Sequence, residues 1–296
     1  MDALATEPIM VKDKLALIKV ITDYALECSD DGWVNGEFYN CHLSSAFQPI
    51  FDFSNKIIIG HTAYIRTVSH GEIALSLWQV FALALKEKKL VELDHLCRAV
   101  HALNYFFKSD KHNKLFIDVH PRLLESAKDD NGRMLENLLS LIGINTARIV
   151  IEIPSAVNRN WNLLRRVILN YRSRGYQIAV NYSGLSNEWT FELDNLYPDI
   201  INIHASDLLR HKNGDLLGET IHQHESTLLV RNIKTAEHVT AALEANADYL
   251  QGNYIHKAER NIKTNIPLQL AENFDAERWD GLIPSVNQAH NDQYLR

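Results

Sequence analysis

The stretch RIVIEIPS at Arg148–Ser155, the run after it, and GYQIAVNYSGLS at Gly175–Ser186 decide the fold. An apolar strand leads into a helical run carrying Trp161, Leu164, Val167, Ile168 and Tyr171, and Gly175 then opens a second apolar strand. This is a βαβ unit. Its strands read as buried and parallel, because a sheet covered on both faces calls for near-continuous apolar runs. Alternation puts Val150 and Glu152 on one face of the first strand, and Ala179 and Asn181 on one face of the second. Polar side chains thus stand at C-terminal strand ends, where α/β barrels carry their sites.

Outward from this unit the pattern repeats. On the N-terminal side, FQPIFDFSNKIIIGHTAYIR at Phe47–Arg66 reads as an antiparallel hairpin turning around Ser54 and Asn55. Helical runs over Ala74–Lys88 and Val91–Phe107 follow, then the strand LFIDVH at Leu115–His120 and a helix over Met134–Ile142. Beyond the central unit come a short helix near Trp189, DIINIH at Asp199–His204 and a helical region from Ala205. STLLVR at Ser226–Arg231, a helix over Thr235–Asn246 and DYLQG at Asp248–Gly252 complete the series. Eight strands, most alternating with helices, predict an α/β fold: a TIM-like (β/α)8 barrel with an antiparallel first strand. The alternative, an open doubly wound sheet, lacks a Gly-rich phosphate loop after the early strands.

The domain expectation is an N-terminal helical extension and linker over 1–45, the barrel over 46–268, and a C-terminal tail over 269–296. Within the extension, Leu15, Ile18, Ile21, Ala25 and Cys28 mark one face of a helix over Val11–Cys28, widened by Leu17, Val20 and Tyr24. So wide a stripe has to be covered, by the main domain or, alternatively, by a partner or a second copy. SDDGWVNGEFYN at Ser29–Asn40 reads as a polar linker with turn signals. The tail is polar and irregular apart from Trp279 and Leu282.

A formal net charge of -7 over 296 residues argues against a broad nucleic-acid or anionic-membrane surface. Three cysteines, Cys28, Cys41 and Cys97, lack metal-ligand spacing and fit a reducing compartment. The N-terminus has neither a basic n-region nor an apolar h-region, and no apolar run reaches membrane-spanning length. The expected location is the cytoplasm. No P-loop, nucleophile elbow or CxxC pair is present.

The strand-end segments, taken together, resemble the EAL-type cyclic di-GMP phosphodiesterases. FQPI at Phe47–Ile50 matches the opening FQPI of that family, and GHTAYIR at Gly60–Arg66 stands where it has GAEALVR. FIDVHPRLL stands for VNVSPRQL, IEIPS at Ile151–Ser155 for LEITE, and AVNYSGLS for AIDDFGTG. INIHAS stands for LKIDRS, VRNIKT at Val230–Thr235 for AEGVET, and QGNYIHKA at Gln251–Ala258 for QGYLFSKP. The resemblance spans Phe47 to Ala258, and its specificity lies in eight segments falling in order at strand ends.

What the resemblance implies is phosphodiester hydrolysis assisted by divalent ions, held by carboxylates and an amide oxygen. Here Thr62 stands for the EAL glutamate, Asp118 for the metal-binding asparagine, and Asn181 and Tyr182 for the paired aspartates. Asn202 stands for the catalytic lysine, His204 for the aspartate after it, and Arg231 and Lys234 for two glutamates. Asp118 and Glu152 remain as carboxylates, too few for hard cations that need several oxygen ligands. The expectation is therefore no catalytic residue, no cofactor and no metal, with Asp118 and Glu152 as remnant positions. The family's nucleotide-contacting positions are kept as Gln48, Arg66 and Gln251. Two carboxylates without a cation would repel each other, so Arg231 is expected to pair with Glu152, Asp118 or both.

Three functions follow as expectations. The first is a catalytically inactive EAL-like signalling or regulatory protein of bacteria, engaging a protein partner such as a transcriptional or signalling regulator, with a homodimer as an option. The second is a metal-independent cyclic di-GMP receptor using Gln48, Arg66 and Gln251. The third is a phosphodiesterase with a metal site rebuilt from Asp118, Glu152 and His204, with His61 and His120 near the same strand ends. Membrane and direct nucleic-acid binding are not expected.

Overall fold

Two long strands close the sheet. In the computed structural model, which describes residues 7–264 apart from 40, 69–78, 82–83, 85–86, 110–111, 126–131, 183–195 and 211–213, β3 (Cys41–Asp52) and β4 (Ile57–Val68) form an antiparallel hairpin. Five parallel strands continue from β4: β5 (Lys114–Asp118), β6 (Ile149–Ile153), β7 (Gln177–Tyr182), β8 (Ile200–His204) and β9 (Thr227–Arg231). The last strand, β10 (Tyr249–Leu250), is parallel to β9 and antiparallel to β3, so the ring closes. The result is the expected eight-stranded mixed barrel, with β3 running against the other seven. The helices expected over Ala74–Lys88 and near Trp189 fall largely or wholly outside the described residues, as does the tail from Gln269.

The helices follow from apolar spacing and local caps. In α5 (Trp161–Arg172), Leu163, Leu164, Val167, Ile168 and Tyr171 are buried, a stripe at helical spacing laid on the sheet. Each such side chain contributes about 1.5–3 kcal/mol on burial. The Asn160 side chain starts this helix by accepting from the Leu163 amide at 3.1 Å, satisfying a donor the first turn leaves open. Gly175, at φ +80°, then turns the chain into β7, a conformation that side chains with a Cβ resist. Near the base of the barrel, Gly60 passes so close to β5 that a Cβ would lie 2.3 Å from the Lys114 carbonyl oxygen, so only glycine fits.

Further elements are α1 (Glu7–Thr22), α2 (Glu87–Phe106), α3 (Pro121–Glu125), α4 (Arg133–Ile142), α6 (Ala205–Leu208), α7 (Gly214–Gln223) and α8 (Ala236–Glu244). The N-terminal reading needs two corrections. The first helix ends at Thr22, where Asp23 takes a left-handed φ of 56°, and Leu26–Cys28 is not its last turn but a strand, β1. The expected polar linker holds another strand, β2 (Val34–Phe38), paired antiparallel to both β1 and β3. Its physical reason is alternation: Val34 and Phe38 turn into the core while Glu37 stays in water. Leu15 and Ile18 of α1 join the same core, whereas Leu17, Val20 and Ile21 remain exposed on its outer side.

Candidate functional site

Strand alternation builds the barrel interior in two layers. Ile50, Phe116, Val150, Ala179, Ile200 and Leu229 pack together as an apolar plug inside the ring. Two residues further toward the mouth on the same strands stand Gln48, Asp118, Glu152, Asn181, Asn202 and Arg231. Register makes neighbours of Asp118 and Glu152, of Asn181 and Asn202, and of Gln48 and Thr62. A polar layer therefore rests directly on a dry floor, where charges interact strongly and unpaired ones are costly.

Arg231 and Glu152 anchor this layer. Arg231 Nη1 donates to Glu152 Oε1 at 2.8 Å, and Glu152 is fully buried. Asn202 Nδ2 donates to the same oxygen at 3.0 Å and to Asn181 Oδ1 at 2.9 Å. Arg231 Nε donates to Gln251 Oε1 at 2.9 Å, and Gln251 Nε2 donates in turn to Thr62 Oγ1 at 2.8 Å. Arg231 Nη2 reaches the Tyr64 hydroxyl at 3.4 Å, and that hydroxyl donates to Gln48 Oε1 at 3.3 Å. Gln48 Nε2 gives its protons to Asn253 Oδ1 at 3.0 Å and to the His256 carbonyl at 2.9 Å.

The electrostatics follow from burial. Glu152 Oε2 and Asn202 Oδ1 are buried and meet no donor among the described residues. Burial pushes the Glu152 carboxyl up; Arg231 and Asn202 pull it back, while the neighbouring Asp118 carboxylate adds to the rise. For Arg231 burial favours the neutral form, but Glu152 and Asp118 outweigh it and hold the guanidinium charged. Tyr64 is raised by burial, so its hydroxyl stays protonated and can donate to Gln48. Arg231 thus supplies a fixed cation where two adjacent carboxylates would otherwise face each other.

The expected site residues separate into three groups. Gln48, Thr62, Glu152, Asn181, Asn202, Arg231 and Gln251 come together in one network, with Asp118 beside Glu152 but exposed at the rim. Arg66, His204 and Lys234 are exposed around the mouth. Arg66 donates to the Ile65 carbonyl at 3.2 Å and lies 5.8 Å from the Tyr64 ring centroid; His204 Nδ1 lies 3.4 Å from Asn232 Nδ2. Tyr182 faces the other way, into the layer between barrel and helices. The histidines do not converge. His61 turns outward to Tyr105 and the Lys263 carbonyl, and His120 stacks on Phe81 with ring centroids 5.8 Å apart. Among the described residues no three of His, Cys, Asp and Glu gather to hold a metal ion. Sequence reasoning missed Asn253 and the His256 carbonyl as the partners of Gln48. Asn253 had a signal, since it departs from the tyrosine of QGY, but a loop carbonyl leaves none.

Fold and site together define an eight-stranded mixed α/β barrel with a buried polar layer toward the C-terminal ends of its parallel strands. The chain belongs to the EAL domain family, whose sequence profile matches residues 32–258. No curated protein sequence matches it. Among solved structures it is similar to the Bacillus subtilis YkuI protein, with an EAL domain, in complex with c-di-GMP and calcium. That match has 21% identity and a TM-score of 0.67, covering 81% of this chain and 61% of that one. A standalone EAL protein from Vibrio cholerae O395 in its c-di-GMP-bound form gives 17% identity and a TM-score of 0.64, over 79% of this chain and 99% of that one. The Klebsiella pneumoniae BlrP1 calcium/cy-diGMP complex gives 19% and 0.64, over 76% and 57%. The chain thus spans about three fifths of the Bacillus and Klebsiella proteins. Among the described residues no helix is long and apolar enough to cross a membrane.

Proposed function

We propose that this EAL-family barrel is catalytically silent and acts in cytoplasmic bacterial signalling by engaging a protein partner. The observation that carries this reading is the 2.8 Å pair of Arg231 with the fully buried Glu152. The family's divalent ions need several oxygen ligands. Here the donor set offers two carboxylates, one of them already bound to a guanidinium. A second cation beside Arg231 would meet its charge in a low-dielectric layer. The residues present do not fit the metal pair. The third expectation, a rebuilt site with His204, finds no support in the geometry of the described residues.

Two of the three nucleotide positions also support the partner reading. Gln48 and Gln251 spend their amide groups on Asn253, His256, Thr62 and Arg231, inside the barrel rather than toward a ligand. The purified chain is expected not to linearise cyclic di-GMP above background with Mg²⁺ or Mn²⁺. Steady turnover that disappears in Glu152→Ala would overturn the reading.

The exposed Arg66 guanidinium favours a second reading, a metal-independent cyclic di-GMP receptor. Calorimetric titration separates the two: heat with cyclic di-GMP in the absence of Mg²⁺ and Mn²⁺ selects the receptor, and silence with and without the ions selects the partner protein. In a receptor, Arg66→Ala is expected to weaken binding by about 2 kcal/mol, as for a charge-assisted contact. Equal affinity in that variant would place the nucleotide elsewhere.

A further inference from the structure

After β10 the described chain does not return as a helix but runs as a strap along the outside of the hairpin. Glu259 exchanges two backbone hydrogen bonds with Phe47, at 2.7 and 3.1 Å. The Arg260 guanidinium lies 4.7 Å from the Trp33 ring centroid and pairs with Asp31 at 2.8 Å. The Lys263 carbonyl closes the strap against His61 Nε2 at 2.9 Å. The loop just before the strap carries Asn253 and His256, the two groups that occupy Gln48.

His61 stands in a row of three contacts. Its Nε2 faces the Lys263 carbonyl, its Nδ1 lies 3.0 Å from the Tyr105 hydroxyl, and that hydroxyl lies 2.9 Å from the Lys114 carbonyl. Carbonyls only accept, so each contact needs one proton. Neutral His61 and Tyr105 bring two. Burial holds the imidazole neutral, down to about 4, against the opposing pull of the Lys263 carbonyl contact, and the proximity of His256 lowers it further. Its titratable surroundings are Tyr105 on α2, Lys114 behind it on β5, His256 in the loop before the strap and Lys263 at the strap's far end.

Two arrangements share the protons. With the proton on Nε2, His61 donates to Lys263, Tyr105 donates to Nδ1, and the Lys114 carbonyl loses the Tyr105 hydroxyl. With the proton on Nδ1, Tyr105 keeps Lys114, but a bare Nε2 lone pair faces the Lys263 oxygen, two acceptors in opposition. We propose that His61 is a proton-routing clasp: the strap over 259–263 is fastened in the Nε2–H tautomer and released in the other. Release loosens the loop that occupies Gln48 and frees that amide at the barrel mouth. The clasp stands whichever ligand or partner the mouth takes.

The test follows the full chain by NMR, reading His61 ring nitrogens for tautomer and the Glu259 and Phe47 amides for hydrogen exchange. The Ile151 amide in β6 reports global opening. Wild type is expected to show both tautomers. Tyr105→Phe removes the competing hydroxyl, so it should hold His61 as Nε2–H and slow Glu259 exchange, relative to Ile151, on the order of tenfold, as for one net hydrogen bond. His61→Phe should speed it by a similar factor. A single tautomer in wild type at every temperature, or Glu259 exchange in Tyr105→Phe that is unchanged or faster relative to Ile151, would overturn the clasp. Should Tyr105→Phe fail to fold, the wild-type tautomer ratio alone decides.

Discussion

Replacing Arg231 with methionine is expected to destabilise the fold by about 3–5 kcal/mol, the range for removing one partner of a buried ion pair. Methionine keeps the apolar stem and removes only the guanidinium, so lost packing contributes little. What remains is Glu152, fully buried, beside Asp118, with Asn202 as its one side-chain donor among the described residues. Two escapes are open to it: stay charged against Asp118 or take up a proton. Protonating an ordinary carboxyl at pH 7 costs about 1.4 kcal/mol per pH unit above its pKa, which over two to three units leads to the same range. Gln251 and Tyr64 lose contacts with Arg231 as well, though both retain Gln48 and Thr62 in the network.

The double variant Arg231→Met with Glu152→Gln separates the causes. An uncharged amide in place of the carboxylate needs no cation, so the pair should regain most of the lost stability in urea unfolding. A single-variant cost below about 1 kcal/mol would mean that the pair behaves like an exposed surface bridge, and the account of a dry polar layer would fail.

How much of this was legible depends on the range of each contact. The barrel was readable because IVIEI and QIAVN are apolar enough to be buried on both faces, and period-two alternation then fixed Val150 with Glu152 and Ala179 with Asn181. The pairing of Arg231 with Glu152 was readable from strand alternation and charge together, since a cation stands in a layer already holding two carboxylates, at a position where the resembled family has a third. The strand β2 was not readable, because Asp, Gly and Asn in Ser29–Asn40 signal turns, and its partner β3 is what makes it extended. The partners of Gln48 were equally hidden. Asn253 and the His256 carbonyl lie 205 and 208 residues away in sequence, and only closure of the ring brings them there. Strand alternation takes His61 out of the candidate metal set, since Thr62 holds the inward position on β4 and its neighbour must face the helices.

Acid is expected to weaken the protein steeply below pH 6.5, through histidines kept neutral. His101 is buried, and burial drives its imidazole from the ordinary 6.5 down to about 3. Its neighbours support the neutral form. Asn104 Nδ2 reaches Ser45 Oγ at 3.4 Å, and that hydroxyl, 2.8 Å from His101 Nδ1, has its own proton to give to the ring. His61 is shifted the same way, to about 4. In the unfolded chain both protonate near 6.5, whereas the folded chain resists. The stability they contribute is therefore fully present above 6.5 and is lost as pH falls toward 4 and then 3. Each histidine contributes a slope of about 1.4 kcal/mol per pH unit in that window. Urea midpoints measured from pH 7.5 to 4.5 check this, with His101→Gln as the variant, because a glutamine can keep an acceptor toward Ser45 and does not titrate. The variant should lose about half of the histidine-driven slope. A slope identical to wild type would show that His101 takes up its proton inside the folded barrel, and that the pocket formed by Ser45, Asn104 and Phe47 is open to water.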